Sequence, residues 1–553
     1  MEFINYFFDH GKTPREGQIQ AMALLQAHWK DYKYFFVDAP VGVGKTYIAL
    51  AIAEKLKQSY ILTSTKMLQE QYERDSAKVV NLQGRSNYTC TVDTAFTTDA
   101  APCMGDRGLV RKCRDAGTCP YFKQKDMAVA AQMMITNYMY LFNAAQADDD
   151  DNPWGKRSSV IMDEAHELPH HLVNYAETDL NLNVLLSKFE IGSNEWEITE
   201  DSDSNHQLLL VVKEQIELRI ADLLERAENL FNNSNGISSN LRDSTVNKIG
   251  RKMAEKVKSL NGQISELRSI WTRLDIWSNT RGDASWLETP DVAENAIKLS
   301  PLSASHLFDS TMQHLGEKFV FMSATIGPPE VFARELGLDM SKVCIIKVDS
   351  EFEADKSPIV YKPSGRLSYA HIDNSMPKIV DAVNEIMEKH KGEKGIIHTG
   401  NYRIAGNIVD GVKTKFNKRM LSRDMYGDDF KSRQSNGRLL DKHYQSSADT
   451  VLVSPSMTTG VDLKGDLSRF QIIVKLPYLS LADPRIKAKS DMDSEWYRTQ
   501  MWLSLLQSTG RSTRSEDDYA VTYILDSGFE YVFNQDAHQL PVWFIDRIRS
   551  GSS

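Results

Sequence analysis

Short apolar runs alternate with segments of helical periodicity along most of the chain. Between the runs, apolar positions recur every three or four residues, as one buried face of a helix requires. The runs themselves are short, rich in β-branched and aromatic residues, and favour buried strands. The predicted strands are 34–37, 60–65, 158–162, 319–322, 395–399, 451–454 and 471–474. This alternation predicts an α/β fold, and the last three runs predict a second doubly wound domain.

The region from about residue 180 to residue 298 has a different pattern. Two long apolar stripes with steps of three and four residues occupy 209–230 and 246–274. The polar loop 232–239 between them permits an antiparallel pair of helices, so we predict a helical insertion whose stripes form core contacts. A shorter helical pattern is predicted for 126–141.

The stretch 38–46 reads Asp-Ala-Pro-Val-Gly-Val-Gly-Lys-Thr and lies between a predicted strand and a predicted helix. Gly42 and Gly44 allow the backbone to curl so that its N–H groups face an anion at a helix N-terminus. In such a loop Lys45 reaches the β- and γ-phosphates, and Thr46 holds Mg²⁺. The sequence therefore predicts a nucleotide site here.

A second motif of charged residues follows the predicted strand at 158–162. Residues 163–166 read Asp-Glu-Ala-His and stand at the carboxyl end of that strand, where ligands bind in open parallel sheets. Asp163 can complete the Mg²⁺ shell, and Glu164 can orient or deprotonate the attacking water.

Four of the five cysteines cluster in one part of the chain. Cys90, Cys103, Cys113 and Cys119 are separated by 12, 9 and 5 residues, whereas Cys344 stands alone. Zinc sites generally use pairs of ligands two to four residues apart, and none of these spacings is that short. Four thiolates in one lobe suit an iron–sulfur cluster, although a solvated loop without metal is the alternative.

Basic and aromatic residues surround these cysteines. Tyr88, Tyr121 and Phe122 are interleaved with seven arginines and lysines between Arg85 and Lys125. Positive charge beside aromatic faces is typical of a platform for single-stranded nucleic acid. At the end of the second predicted strand, Thr65 and the helix after it suit contacts to a sugar-phosphate backbone, and helix capping is equally consistent with Thr65.

The second half of the chain contributes one further charged motif. Gln507, Arg511 and Arg514 lie on a predicted helix, where an i,i+3 spacing puts the two arginines on one face. Two guanidiniums presented together can clamp a γ-phosphate across a domain cleft. A solvated basic face is the alternative.

Composition narrows the class of protein. The 553-residue chain is 41% hydrophobic and carries a net charge of −10, which leaves room for several globular domains and for basic residues confined to a groove. Neither a long uninterrupted apolar stretch nor a basic N-terminal segment is evident, so we expect a cytosolic protein, cytoplasmic or associated with the nucleoid.

Taken in order, these motifs resemble the superfamily 2 iron–sulfur helicases of the XPD/DinG group. The resemblance rests on 39–46, the four cysteines, 163–166, Ser-Ala-Thr at 323–325 and 507–514. Ala39, where the general phosphate-loop pattern has glycine, fits the form common in superfamily 2 motors. The resemblance implies two RecA-like doubly wound motor domains, the first interrupted by an iron–sulfur lobe and by a helical arch.

The resemblance also implies a role for individual residues. The expected ATP-binding set is Arg15, Gln18 (which would contact adenine), Ala39, Gly42, Val43, Gly44, Lys45, Thr46 and Asp462. Glu164, Gln507, Arg511 and Arg514 are the expected catalytic residues, with Thr46 and Asp163 holding Mg²⁺ and the four clustered cysteines holding a [4Fe-4S] cluster. His166, Ser323, Thr325 and Gly460 would couple nucleotide state to strand grip, and the nucleic-acid candidates are Thr65, Lys66, Tyr88, Tyr121 and Tyr402.

The implied activity is an ATP-dependent DNA helicase that moves 5′ to 3′ on single strands. We expect it to act as a monomer on single-stranded and on forked or tailed duplex DNA in repair or replication, without a membrane. An ATP-gated strand-binding module that does not unwind is the alternative, and an RNA-directed motor is disfavoured by the cysteine lobe. The predicted divisions are 1–84, 126–180 and 299–335 for the first motor domain, 85–125 for the cluster lobe, 181–298 for the arch and 336–553 for the second motor domain.

Overall fold

The computed structural model describes most of the 553-residue chain. It leaves out residues 1, 93, 95, 100, 102, 104–106, 146–153, 238–242, 283–285, 351–352, 369, 423–433, 456–462, 464, 511–517 and 551–553. It describes only the backbone of 107–109, 145, 231–237, 243–254 and 434–437.

The helices and strands of the described residues alternate over both halves of the chain. The helices are α1 (Asn5–Asp9), α2 (Glu16–His28), α3 (Lys45–Leu56), α4 (Lys66–Asp75), α5 (Arg107–Asp115), α6 (Pro120–Ala130), α7 (Tyr138–Ala145), α8 (Leu168–Ala176), α9 (Leu182–Phe189), α10 (Ser202–Ile237), α11 (Asp243–Thr280), α12 (Ser305–Met312), α13 (Pro329–Glu335), α14 (Ile372–Lys389), α15 (Tyr402–Gly411), α16 (Gln434–Gln445), α17 (Pro484–Met492), α18 (Ser494–Thr509), α19 (Gly528–Asp536) and α20 (Val542–Ile545). The strands are β1 (Tyr34–Asp38), β2 (Ser59–Thr63), β3 (Val79–Asn81), β4 (Met133–Asn137), β5 (Arg157–Asp163), β6 (Thr178–Asn181), β7 (Trp286–Asp291), β8 (Ala296–Pro301), β9 (Gly316–Ser323), β10 (Val343–Lys347), β11 (Ile359–Gly365), β12 (Gly395–His398), β13 (Met420–Leu421), β14 (Val451–Ser454), β15 (Phe470–Ile473), β16 (Val521–Asp526) and β17 (Ile548–Ser550).

The first sheet brings the predicted nucleotide motifs to one edge. Its described strands are all parallel and lie in the order β10-β1-β9-β5-β2-β4-β3. Helices cover both faces, which is why the strands are continuous apolar runs and not alternating ones. Asp38 lies opposite Ser323, and Asp163 lies opposite Met322, so three strands deliver polar side chains to the same carboxyl edge.

Two features of this sheet differ from the sequence predictions. The helical pattern predicted for 126–141 is wrong, because α6 ends at Ala130 and Met133–Asn137 forms β4 between β2 and β3. A short apolar run between two helices carries no period that separates strand from helix. The strand β10 pairs with β1, so the first sheet continues beyond the predicted division at residue 335 as far as Lys347.

The second sheet has the same parallel architecture. Its described strands lie in the order β13-β14-β12-β15-β16-β11-β17. A large apolar core lies beneath α14 and α15, and a smaller core lies beneath α18 and α19. The chain therefore has two doubly wound α/β domains, as the alternating pattern predicts.

The insertion between the two parts of the first sheet contains strands as well as helices. The long helices α10 and α11 pack against each other along their apolar stripes, as predicted. Beside them, β6, β8 and β7 form a small antiparallel sheet. The sequence predicted the two helices but not this sheet, which covers part of their apolar stripes.

The two domains meet through a buried ion pair. Lys489 on α17 donates to both carboxylate oxygens of Glu335 on α13, at 2.5 and 2.7 Å. Beside it, Arg334 pairs with Asp493 and Glu495 at the surface. The next helix, α18, follows directly after Asp493 and carries Gln507. Among the helices that the structure describes, none has the length and apolarity needed to cross a membrane.

Candidate active site and cysteine cavity

The glycine-rich loop adopts the geometry that its sequence predicts. Gly42 and Gly44 have φ angles of +95° and +86°, in the left-handed region that L side chains rarely adopt. Lys45 is the first residue of α3, and its ammonium donates to the carbonyl of Ala39 at 3.2 Å. Val43 is buried. The loop therefore curls over a helix N-terminus and presents N–H groups there.

Gln18 and Arg15 fasten this loop from α2. The amide oxygen of Gln18 accepts from the backbone N–H of Arg15 at 2.9 Å, and its amide nitrogen donates to the carbonyl of Gly44 at 3.3 Å. The guanidinium of Arg15 donates to the carbonyl of Gly42. Gln18 is buried, and a Cβ at Gly44 would stand 2.5 Å from its amide nitrogen. The structure brings both residues to the phosphate loop, and the adenine contact stays a prediction.

The two predicted Mg²⁺ ligands are held by hydrogen bonds from side chains of α4 and from a backbone N–H group. Asp163 is buried, and its Oδ2 accepts from the hydroxyl of Tyr72 at 2.9 Å while its Oδ1 accepts from the N–H of Glu164 at 3.0 Å. The hydroxyl of Thr46 accepts from the amide of Gln71 at 3.2 Å. Burial, reinforced by the neighbouring charge of Glu164, raises the pKa of Asp163 to about 6, and Lys45 opposes this.

Glu164 has an unusual backbone conformation. Its φ angle is +53°, which costs a residue with a side chain roughly 1 kcal/mol. This turn directs the chain from β5 into the short turn that carries His166, and it leaves the side chain of Glu164 partly exposed beside the loop. Such strain concentrates at functional sites.

His166 links the two domains through a chain of hydrogen bonds. The amide of Gln507 donates to its Nε2, so the ring proton lies on Nδ1, which contacts the hydroxyl of Ser323 at 2.7 Å. Ser323 in turn donates to the carbonyl of Thr325 at 2.9 Å. Burial lowers the pKa of His166 and favours the neutral ring that this pattern requires.

Asp38 ties the phosphate loop to the same chain of contacts. This partly buried carboxylate ends β1, and its Oδ1 accepts from the N–H of Ile326 at 2.7 Å. Burial raises its pKa to about 6, opposed by that hydrogen bond and by Lys347 and Lys45. The structure therefore joins the residue before the loop to the turn that follows β9.

Several predicted residues lie outside the described part of the chain. The helix α18 ends at Thr509 with Gly510 as its cap, and Arg511 and Arg514 follow in the residues left out. Gly460 and Asp462 also lie outside the described residues. Their predicted roles stay predictions.

The four clustered cysteines line one cavity. Cys90, Cys103, Cys113 and Cys119 line a small cavity together with Arg85 and the rings of Tyr121 and Phe122. Burial raises the pKa of Cys103 to about 11, the other three thiols add to this, and Arg85 opposes it. The thiols are therefore close enough to interact electrostatically.

The donor set at this cavity consists of four thiols. Within the described ranges, no three cysteine, histidine, aspartate or glutamate side chains form a group that could hold a metal ion as they stand. An iron–sulfur cluster takes four cysteine thiolates, which is the number and type of ligand that lines this cavity.

The nucleic-acid candidates have different environments. Thr65 caps α4 by accepting from the N–H of Leu68 at 3.3 Å, and Lys66 donates to Asn87 at 2.5 Å; both are exposed. Tyr402 is 52% exposed at the start of α15. Each of these three stays a prediction.

The two aromatic candidates near the cysteines lie deeper in the protein. Tyr121 is only 5% exposed, bonds to Tyr140 at 2.8 Å and lies under the guanidinium of Arg85, so its prediction as a base-stacking surface is corrected to a packing role. Tyr88 is partly buried against Tyr121 and accepts from the N–H of Gln83.

Sequence reasoning missed three residues of this site. Tyr72 and Asp38 carry no motif that signals their contacts, because each acts through a neighbour brought close only by the fold. Gln71 lies on the helix after Thr65, which was expected to suit a sugar-phosphate backbone, and its amide contacts Thr46. The one signal in the sequence is that Gln71 is a polar residue beside the buried Tyr72 on the same helix.

Comparisons with known proteins show which family the chain resembles. The DEAD_2 family profile matches residues 55–185, and the Helicase C-terminal domain profile matches residues 383–544. The ATP-dependent DNA helicase YoaA of Escherichia coli is 23% identical over 94% of this chain and 92% of its own length. The ATP-dependent DNA helicase DinG of Photobacterium profundum is 24% identical over 52% of this chain and 44% of its own. An XPD helicase structure aligns over 97% of this chain and 100% of its own with a TM-score of 0.60 and 15% identity.

The fold consists of two RecA-like doubly wound α/β domains. The chain belongs to the superfamily 2 helicases of the XPD/DinG type.

Proposed function

We propose that this protein is an ATP-dependent DNA helicase that moves 5′ to 3′ along single-stranded DNA and holds a [4Fe-4S] cluster. The observation that carries the proposal is the contact between Gln507 and His166, which joins the second domain to the acidic motif beside the phosphate loop. A site divided between two domains can open and close with the nucleotide it holds. The relatives named as ATP-dependent DNA helicases support the same activity.

Hydrolysis would use the residues at the carboxyl edge of the first sheet. Lys45 stabilises the charge on the transferred phosphoryl group, and Glu164 orients and deprotonates the attacking water. Thr46 and Asp163 would hold Mg²⁺, which neutralises charge on the β- and γ-phosphates when it is bound. Arg511 and Arg514 would approach the γ-phosphate from the second domain.

Coupling would follow the hydrogen bonds of His166. When the γ-phosphate leaves, the environment of Glu164 changes, and His166 lies 3.5 Å from its carboxylate. The neutral ring of His166 transmits that change to Gln507 on one side and to Ser323 on the other. The two domains then separate or approach, and their grips on the strand alternate.

The cysteine cavity would hold the cluster. Cys90, Cys103, Cys113 and Cys119 supply the four thiolates that such a cluster takes, and all four line one cavity. The cluster would fasten the described parts of this lobe, among them α5 and the start of α6, to one another. Iron analysis and visible absorbance of anaerobically purified protein test this assignment.

A matched pair of variants sharpens the metal test. Cys113→Ser should lose iron and visible absorbance, whereas Cys344→Ser should keep both, because Cys344 is buried within the first sheet on β10. Stoichiometric zinc without iron in the wild-type protein would overturn the cluster proposal while leaving the motor untouched.

We further propose single-stranded DNA and tailed or forked duplexes as substrates, with the chain working as a monomer in the cytoplasm or nucleoid during repair or replication. An ATP-gated strand-binding module that does not unwind is the competing function. Displacement of a strand from a tailed duplex separates the two, because a binding module would hydrolyse ATP on the strand without displacing its complement.

A further inference from the structure

We propose that Gln71 and Tyr72 are positioning residues of the Mg²⁺ site and that α4 thereby connects strand binding at Thr65 and Lys66 to that site. The proposal rests on the proposed function, because it assigns a role to residues that act through Thr46 and Asp163. It extends that function to a helix that the sequence motifs leave without a catalytic task.

Tyr72 fixes the orientation of the Asp163 carboxylate. Both side chains are buried, with Tyr72 at 0% and Asp163 at 3% exposure, and the Tyr72 hydroxyl donates to Oδ2 at 2.9 Å. The N–H of Glu164 holds the other oxygen at 3.0 Å. Each oxygen of the carboxylate has one donor and keeps a second lone pair, so the plane of the group is set before any cation binds.

Gln71 performs the same task for the other ligand. Its amide nitrogen donates to Oγ1 of Thr46 at 3.2 Å. A hydroxyl that accepts this bond directs its remaining lone pair away from Gln71, on the side available to a cation. Two consecutive residues of one helix therefore hold the two side chains that would bind Mg²⁺.

The other end of α4 faces the predicted strand-binding surface and the cysteine lobe. Thr65 and Lys66 are exposed there, and Lys66 contacts Asn87 in the turn before the first clustered cysteine. Six residues separate Lys66 from Tyr72, which is about 9 Å along a helix. A short, capped helix is stiff over that distance, so a displacement at Lys66 moves Tyr72 and Gln71 with it.

The coordination geometry of Mg²⁺ makes the orientation of the Asp163 and Thr46 side chains important. The ion requires nearly ideal octahedral geometry, and removing a partner that orients one of its ligands typically costs 10–100-fold in metal affinity or activity. A merely structural tyrosine would change stability without changing the requirement for metal. The metal requirement therefore distinguishes the two roles.

Tyr138 provides a matched control for Tyr72. Its hydroxyl is also buried and also donates to Asp163 at 2.9 Å, but the acceptor is the backbone carbonyl and not the carboxylate. Tyr72→Phe and Tyr138→Phe thus each remove a buried tyrosine hydroxyl that donates to Asp163. Only Tyr72→Phe removes a hydrogen bond to the carboxylate.

The experiment measures two quantities for the full chain: its affinity for Mn²⁺ in the presence of a non-hydrolysable ATP analogue and poly(dT), from the electron paramagnetic resonance signal of the free ion, and the MgCl₂ concentration that half-saturates DNA-stimulated ATP hydrolysis at fixed ATP. We expect Tyr72→Phe to weaken Mn²⁺ binding and to raise the half-saturating MgCl₂ concentration, each about tenfold, and Gln71→Leu to shift both in the same direction. Tyr138→Phe should keep the wild-type value. An unshifted requirement in both Tyr72→Phe and Gln71→Leu, or an equal shift in Tyr138→Phe, would overturn the positioning role. A wild-type chain that hydrolyses no ATP would instead reject the proposed function.

A double-mutant cycle tests the connection through α4. Lys66→Ala and Tyr72→Phe are combined, and the stimulation of kcat by poly(dT) is measured at saturating MgCl₂. If the helix transmits strand binding, the double variant should lose no more stimulation than the more affected single variant. Losses that multiply would show that the two ends act independently and would overturn the connection.

Discussion

Gln507 in the last turn of α18 donates a hydrogen bond to His166 across the cleft between the two sheets. The same imidazole contacts Ser323 on β9, which lies beside the strand that leads into the phosphate loop. The neutral His166 ring, itself part of the acidic motif, therefore contacts the second domain through Gln507 and strand β9 through Ser323. It makes both hydrogen bonds only when the two domains are in contact.

Gln507→Ala should weaken the communication between nucleotide and strand. Loss of one buried hydrogen bond, about 1.5 kcal/mol, corresponds to roughly a tenfold fall in DNA-stimulated kcat. The KM for ATP should change little, because Gln507 contacts His166 and not the phosphate loop. Steady-state hydrolysis with and without poly(dT) measures this, with Ser504→Ala on the same helix as the control. Equal loss in both variants would contradict a specific role for Gln507.

Lys45→Ala and Glu164→Gln should abolish turnover and leave much of the strand binding intact. Both side chains face the reacting phosphate and water, and the proposed strand contacts lie elsewhere. Hydrolysis assays and fluorescence anisotropy with a labelled single-stranded oligonucleotide check the two halves of this expectation. Wild-type hydrolysis in either variant would remove that residue from the catalytic set.

Asp38→Asn should stabilise the protein at neutral and alkaline pH. The pKa of Asp38 is raised to about 6 from 3.8, so the folded state binds the proton more tightly than the unfolded state and the wild type loses stability as pH rises through that window. Asparagine retains the acceptor for Ile326 and does not ionise. The gain should be roughly 3 kcal/mol at pH 8 and about half of that at pH 5.

Denaturant unfolding at the two pH values measures this gain. Asp9→Asn, at an exposed position on α1, serves as the control and should change stability little at either pH. A destabilised Asp38→Asn variant at pH 8, or a gain that does not depend on pH, would contradict the assignment.

Lys489→Met should destabilise the contact between the two domains. It leaves the buried carboxylate of Glu335 without its partner, which costs about 3–5 kcal/mol. The double variant with Glu335→Leu should recover most of this loss, because both charges are then absent. Lys487→Met, which removes an exposed pair with Asp491 on the same helix, should cost less than about 1 kcal/mol. Equal losses for the two lysines, measured by urea unfolding, would contradict a buried pair.

Most of the longer apolar runs could be predicted as strands from the sequence, including β12, β14 and β15, which carry no motif. The apolar runs that form β1 and β5 end at residues of recognisable motifs, so their composition and their position both indicate a strand. Met133–Asn137 has no such marker, and its strand conformation depends on β2 and β3 on either side. The small antiparallel sheet of the insertion was missed for the same reason, since its pairing joins residues far apart in the chain.

The same limit on prediction from sequence applies to the candidate site. Residues that would touch nucleotide or metal belong to short motifs, because their spacing is set by local backbone geometry. Tyr72 contacts Asp163, and Asp38 contacts Ile326, through hydrogen bonds between separate elements at separations of 91 and 288 residues. No local period or spacing in the chain records those contacts.

The central claim is that ATP hydrolysis drives strand separation from a 5′ single-stranded end. The direct measurement is displacement of a labelled strand from duplexes that carry either a 5′ or a 3′ tail, in ATP and MgCl₂, with Glu164→Gln as the inactive control. We predict displacement from the 5′-tailed duplex by the wild type alone, and little from the 3′-tailed duplex. Strand-stimulated hydrolysis without displacement from either duplex would contradict the claim.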